Sequence, residues 1–218
     1  MTMEQLWSMI VSGLWETLYM TLAATAFAYL LGLPLGVLLV VTRHDHIAPQ
    51  PALNRVLNVV VNILRSVPFL ILMIAVIPLT RAVMGTTIGS QATIMPLFIA
   101  AFPFVARTVE ASLLEVDSGV IEAAQAMGAT RLQIMWKVML REAVPGLING
   151  AAIATTNILG YSAMAGAIGG GGLGALAINY GYYRYKTDVL MLAIVVLVLL
   201  VQAIQYIGDR VSRLADHR

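Results

Sequence analysis

The chain has 218 residues, of which 60% are hydrophobic and only 11% charged, with a formal net charge of +2 and a mean hydropathy of +0.87. These values exclude an ordinary soluble domain and indicate an all-α polytopic membrane protein, with room for roughly five or six spans of about 20 residues. The small charge, with no basic stripe interleaved with aromatics, argues against nucleic acid as a partner, and zero cysteines exclude disulfides, zinc–thiolate sites and thiol catalysis.

Residues 1–15 carry no Lys or Arg, so the basic n-region of a secretory signal is missing. The first apolar run, about 14–41, is too long for a signal and is expected to be a retained transmembrane helix. Glu16 near its outer end can reach headgroups or favour a helix N-terminus. Gly32, Pro34 and Gly36 are expected to bend or loosen its inner third. A polar turn follows with His44, Asp45 and His46. Two histidines and one carboxylate in a loop are a weak metal set, and a solvated turn is the simpler reading.

The second run, about 53–80, is longer than a bilayer needs and is expected to be one tilted span. Asn54, Asn58, Asn62 and Arg65/Ser66 fall on one helical face, which in lipid would be costly. That face suits inter-helix hydrogen bonds or a translocation wall. Beyond a short outer loop, the third span is expected at about 91–109, with Arg107 and Glu110 at its inner end able to snorkel or pair.

Residues 117–143 interrupt the hydrophobic pattern. Asp117 or Ser118 can N-cap a short helix whose apolar positions Val120, Ile121, Ala124 and Met127 share one face. Gly128 supplies a left-handed stop, and Thr130 with Gln133 forms a capping-box pattern for a second helix. The fourth span, about 144–168, is rich in Gly, Ala, Ser and Thr. Its stripe of Asn149, Ile153, Asn157, Tyr161 and Met164 fits close helix packing or a pore lining, two roles that coexist at a dimer axis. Gly169 to Gly172 and Gly174 lack the Lys-Ser/Thr of a phosphate loop, so a tight turn is expected there. Residues 175–188 are expected to be a Tyr-rich outer loop, and the fifth span is expected at about 189–207 with a basic tail.

With the N-terminus outside, Arg43, Arg55, Arg107, Arg131, Lys137, Arg141, Arg210, Arg213 and Arg218 lie on inner segments. Arg81, Arg184 and Lys186 lie on outer ones. The bias of nine against three favours five spans, N-out and C-in, with 117–143 in the cytoplasm. The whole chain, 1–218, is then expected to form a single transmembrane domain.

Glu122-Ala123-Ala124, three residues and Gly128, with Val138 and Leu140 downstream, resembles the EAA loop of bacterial ABC-importer permeases. The tail departs from that pattern at Val138 and at Arg141, where the family has Ile and Pro. Trp15-Glu16-Thr17-Leu18, Gly32 to Val37, Arg65 to Phe69 and Gly160-Tyr161-Ser162-Ala163-Met164 look like the D-/L-methionine branch of these type I permeases. The resemblance implies a non-catalytic bacterial inner-membrane subunit that moves methionine by alternating access. Its implied partners are a second copy of itself, two ABC ATPase subunits, a periplasmic or lipid-anchored methionine-binding protein, and membrane lipid. It implies no cofactor on this chain, with ATP and Mg on the ATPase. Ser118, Val120, Ile121, Glu122, Ala123, Ala124, Met127 and Gly128 would couple to the ATPase. Asn62, Arg65, Asn157, Tyr161, Ser162 and Met164 would line or gate the passage. Another amino acid or an osmolyte as cargo remains an alternative. A free-standing secondary transporter is a poorer fit, because the acidic residues avoid span centres and five spans do not split into equal repeats.

Overall fold

The computed structural model describes residues 3–216. Among them all regular structure is helical. α1 spans Met3–Val41, α2 Pro51–Ser66, α3 Phe69–Met84, α4 Ser90–Leu114 and α5 Ser118–Ala126. Segment α6, residues 131–142, is α-helical at Arg131–Gln133 and Leu140–Glu142 and π-helical at Ile134–Met139. α7 is Val144–Ala165, followed by a 3-10 turn at Gly166–Ile168. α8, residues 172–182, is α-helical at Gly172–Leu176 and π-helical at Ala177–Tyr182. α9 is Thr187–Ala215. Four helical stretches, Met3–Val41, Ser90–Leu114, Val144–Ile168 and Thr187–Ala215, are each long and apolar enough to cross a membrane. The α2–α3 pair makes a fifth if it is taken as one span.

That pair departs from the single helix expected over 53–80. α2 and α3 meet at a bend of 103°, and Pro68 is the cause. Its ring has no N–H to donate and pushes the preceding residue out of the helical region, so Val67 sits at φ −82°, ψ 123°. Pro78, by contrast, lies inside α3 without ending it.

α1 starts well before Leu14, and its 39 residues reach about 58 Å at 1.5 Å per residue. The chain stays α-helical through Gly32, Pro34 and Gly36. The two glycines admit a neighbouring helix. A Cβ on Gly32 would lie 2.7 Å from Val105 Cγ1, and one on Gly36 would lie 2.6 Å from the Ala106 carbonyl oxygen. α1 and α4 therefore touch almost backbone to backbone, and Val105 and Val109 are buried completely. Lipid tails are as apolar as leucine, so close packing of this kind holds membrane helices together where hydrophobic expulsion from water cannot.

Residues 175–188 are also more ordered than the outer loop expected there, because α8 runs to Tyr182. Its first turn rests on α1. The Gly172 N–H donates to Glu16 Oε2 at 2.7 Å, and the Leu173 N–H donates to Thr17 Oγ1 at 2.9 Å. Positive φ at Gly171 and Gly172, 79° and 71°, lets the chain double back from α7 into α8. α8 then crosses the end of α7 so closely that a Cβ on Gly174 would lie 2.4 Å from the Ala163 carbonyl oxygen. The tight turn expected in the glycine run is present, with a helix rather than a loop after it. At the other end of α7, Ser212 of α9 donates to the Pro145 carbonyl at 2.8 Å.

Substituting Gly36 by Val tests the α1–α4 contact. Overpacking of this kind costs about 1–3 kcal/mol, so Gly36→Val should lower the thermal midpoint of the detergent-solubilised protein. Leu38→Val, on an exposed face of α1, should leave that midpoint nearly unchanged.

Candidate functional site

The candidate site at residues 117–133 is built from local rules. Asp117, in extended geometry at φ −60°, ψ 128°, accepts from the Gly119 N–H at 2.6 Å and caps α5. At the other end Gly128 adopts φ 79°. Its N–H donates to the Gln125 carbonyl at 2.9 Å, and the Ala129 N–H donates to the Ala124 carbonyl at 3.1 Å. These two bonds are the Schellman closure of a helix C-terminus. Thr130 and Gln133 then form a reciprocal capping box. The Thr130 N–H donates to Gln133 Oε1 at 2.8 Å, and the Gln133 N–H donates to Thr130 Oγ1 at 3.4 Å. A Cβ on Gly128 would meet nothing within 4 Å, so the glycine is required by conformation and not by space.

The apolar face expected on α5 is split. Ala124 is buried at 4% exposure and Ile121 packs against the core, while Val120 and Met127, the latter 82% exposed, point outward. α5 rests on its own chain by one edge, where it meets α6. Ser118, Glu122, Ala123 and Gly128 are exposed around the outward face. Beside α5 lies a groove of about 450 Å3 whose lining includes Asp45, His46, Leu114, Ile121, Glu122 and Gln125. Burial pushes the His46 imidazole below its ordinary pKa, so neutral histidine faces this groove near pH 7. A backbone hydrogen bond, then the charges of His44 and Arg43, hold the Asp45 carboxyl below the usual carboxylate range.

The passage candidates do not form one constellation. Asn54 donates to the Leu39 carbonyl at 2.7 Å and to Thr42 Oγ1 at 2.9 Å, and Asn58 donates back to Asn54. Asn54 of the expected polar face thus ties α2 to the end of α1 and the turn after it, and Asn58 supports Asn54 from within α2. Asn62 accepts from Arg107 Nη2 at 2.8 Å, and Arg107 Nη1 pairs with Glu110 Oε2. Arg107 thus joins α4 to α2. Arg65 instead lines a pocket with Phe69, Phe104 and Tyr161, and the Phe69 and Tyr161 rings stack at 4.8 Å. On α7, Asn149, Ile153, Gly160 and Met164 are exposed and Asn157 is half-buried, so this stripe is open among the described residues except at Tyr161, which Phe69 covers. Ser162 is a correction. It is fully buried, and its hydroxyl donates to the Leu159 carbonyl at 2.7 Å, on the side of α7 turned away from the stripe.

Two contacts were beyond sequence reasoning in their details. The spacing of Arg107 and Glu110 allows them to pair, but nothing local points to Asn62 as the third member. The capping of α8 by Glu16 and Thr17 joins positions 156 residues apart.

The fold and the capped knob belong together in a known class. Residues 32–218 match the family of binding-protein-dependent transport system inner membrane components, and the chain belongs to that family. It is 51% identical to the "Probable D-methionine transport system permease protein MetI" of Vibrio cholerae over 210 residues, 96% of this chain and 93% of the relative. It is likewise 51% identical to the D-methionine transport system permease protein of Escherichia coli K12 over 166 residues, 76% of each chain. Among solved structures it matches a chain of the MetNI methionine ABC transporter in an inward facing conformation, with TM-score 0.97, 49% identity and 100% of both chains covered.

The Arg107–Glu110 pair is only 19% and 12% exposed. Removing one partner of such a pair costs up to about 3–5 kcal/mol because a charge is left uncompensated. Glu110→Gln should therefore destabilise the protein strongly in thermal unfolding. The double variant Arg107→Met with Glu110→Met should recover most of the loss, giving a large coupling energy in the double-mutant cycle.

Proposed function

We propose that this chain is the membrane-spanning subunit of an ATP-driven importer that carries methionine across the bacterial inner membrane. The observation that carries the reading is the helix–turn–helix knob at 117–133. It is closed by hydrogen bonds at each end and presents Val120, Glu122, Ala123 and Met127 outward, on a chain of this transport family. The high identity to permeases named for D-methionine supports the cargo.

The chain has five spans, N-terminus outside and C-terminus inside, with α2–α3 as one broken span. It acts as a single permease domain in a homodimer. Two ATPase subunits bind from the cytoplasm and hold ATP and Mg, and a periplasmic or lipid-anchored binding protein delivers methionine. ATP hydrolysis belongs to the ATPase. The glycine run of the permease takes no nucleotide, since Ala175 and Leu176 stand where a phosphate loop needs Lys and Ser/Thr.

The exposed apolar residues of α5 fill a groove on the ATPase, and Glu122 makes a polar contact at its edge. When ATP closes the ATPase dimer, α5 moves with it. The pull passes through the Gly128 turn and α6 to α7, whose open stripe with Asn157, Tyr161 and Met164 faces the passage. The spans rock outward to receive methionine, and hydrolysis resets them. Asn62 and Arg65 complete the passage wall on α2. Met164, 50% exposed, is a flexible thioether able to seal a constriction and yield.

Forcing a branched side chain into the left-handed region costs about 1–2 kcal/mol. In the reconstituted complex, Gly128→Leu and Glu122→Lys should therefore retain membrane insertion and ATP hydrolysis while methionine uptake falls about tenfold, a coupling loss of ~1.4 kcal/mol. Normal uptake by both variants, with the ATPase bound, would remove the coupling role of α5.

A further inference from the structure

Two arginines stand near the broken span, and their surroundings differ. Arg107 is satisfied by Glu110 and Asn62. Arg65, on the last turn of α2 before the Val67–Pro68 break, has no ion-pair or hydrogen-bond partner among the described residues. A guanidinium in a membrane-spanning unit is expensive unless it meets water or an anion, so an uncompensated one marks a place where an anion is taken up. Arg65 borders a pocket of about 120 Å3 whose other walls include Leu64, Val67, Phe69, Phe104 and Tyr161. Phe69 and Tyr161 are stacked with an interplanar angle of 9°, which makes them one firm aromatic wall. No Asp or Glu lines the pocket.

We propose that this pocket is a transient two-point site for methionine in transit. It rests on the reading of the chain as a methionine permease. Arg65 takes the α-carboxylate through the paired N–H donors that fit a carboxylate. The thioether lies against Phe69, Phe104 and Tyr161, where sulfur makes favourable contacts with aromatic rings. The pocket is somewhat smaller than the cavity of about 150 Å3 that holds benzene, so it takes the methylthio end while the rest of the amino acid stays at the open mouth. With no acidic residue in the lining, the ammonium group is left to water.

Two consequences follow from attachment at two points. The configuration at Cα is read only when a third substituent is held, so this site takes D- and L-methionine alike. The arginine is also exposed, so binding is weak, as passage requires, since a site in a conduit has to release what it takes up.

The chain contains no cysteine, which permits a direct test. Val67, which lines the pocket and is 37% exposed, is replaced by Cys in the complete permease–ATPase complex. The rate at which a methanethiosulfonate reagent modifies the permease is then followed with and without D- or L-methionine. Either enantiomer at twice its dissociation constant should slow modification about threefold by simple occupancy. Arg65→Gln should abolish the protection, and Arg65→Lys should keep part of it. Modification that methionine does not slow, while the same complex with its binding protein imports methionine, overturns the site alone. A complex that does not import methionine overturns the functional reading and the site with it. Protection by one enantiomer only overturns the two-point geometry. If Arg65→Gln fails to assemble, Phe69→Leu takes its place, and undiminished protection in that variant equally overturns the site.

Discussion

The contact on which the rest of the structure depends is the close approach of α1 to α4 at Gly32 and Gly36. In a bilayer the surrounding lipid offers apolar side chains nearly what another helix offers, so burial alone does not choose partners. Backbone proximity does, through many short dispersion contacts that a Cβ would prevent. With α1 seated on α4, the remaining helices have a fixed wall. α7 packs on the same pair, and α8 is held over the N-terminal half of α1 by Glu16 and Thr17. The crossings of α7 with α8 and with α9 repeat the device, with Gly174 against Ala163 and Gly208 against Ala152.

A frame held by small residues leaves the larger and polar ones for other duties. On α2 the asparagine series divides by depth. Asn54 fastens the helix to the C-terminal end of α1, Asn58 donates to Asn54 within α2, and Asn62 joins the Arg107–Glu110 pair. Arg65 has no such tie among the described residues. The same division appears on α7, where Ser162 and Ile158 turn inward while Gly160 and Met164 lie open. Within three residues one helix thus serves both packing and the uncovered stripe.

What could be read from the sequence was mostly what is local. Asp117, Gly128, Thr130 and Gln133 act within a few residues of themselves, and their spacing alone specifies the bonds they make. Hydropathy picks out the long apolar helices, but it obscures the break at Val67–Pro68, because the apolar character continues across it while the backbone cannot. Gly32 and Gly36 were legible as special positions and not in their purpose, since a glycine that bends a helix and one that admits a neighbour look alike in one dimension. Ser162 was assigned by its place in the Gly-Tyr-Ser-Ala-Met run, yet helical rotation puts it behind Tyr161 and Met164. The contact between Glu16 and Gly172 had no local signal at all.

The two ends of α5 and the centre of α6 are mechanically unlike. α5 is closed by a side-chain cap at Asp117 and a double backbone closure at Gly128, so it cannot unwind without breaking a bond. Ile134–Met139 is wound in the wider π form, which holds more residues per turn than the α-helix on either side. Taking one residue out of that excess winding would turn the following helix by about 100° and shift it by about 1.5 Å, so at this segment an axial displacement and a rotation of α7 are geometrically one change.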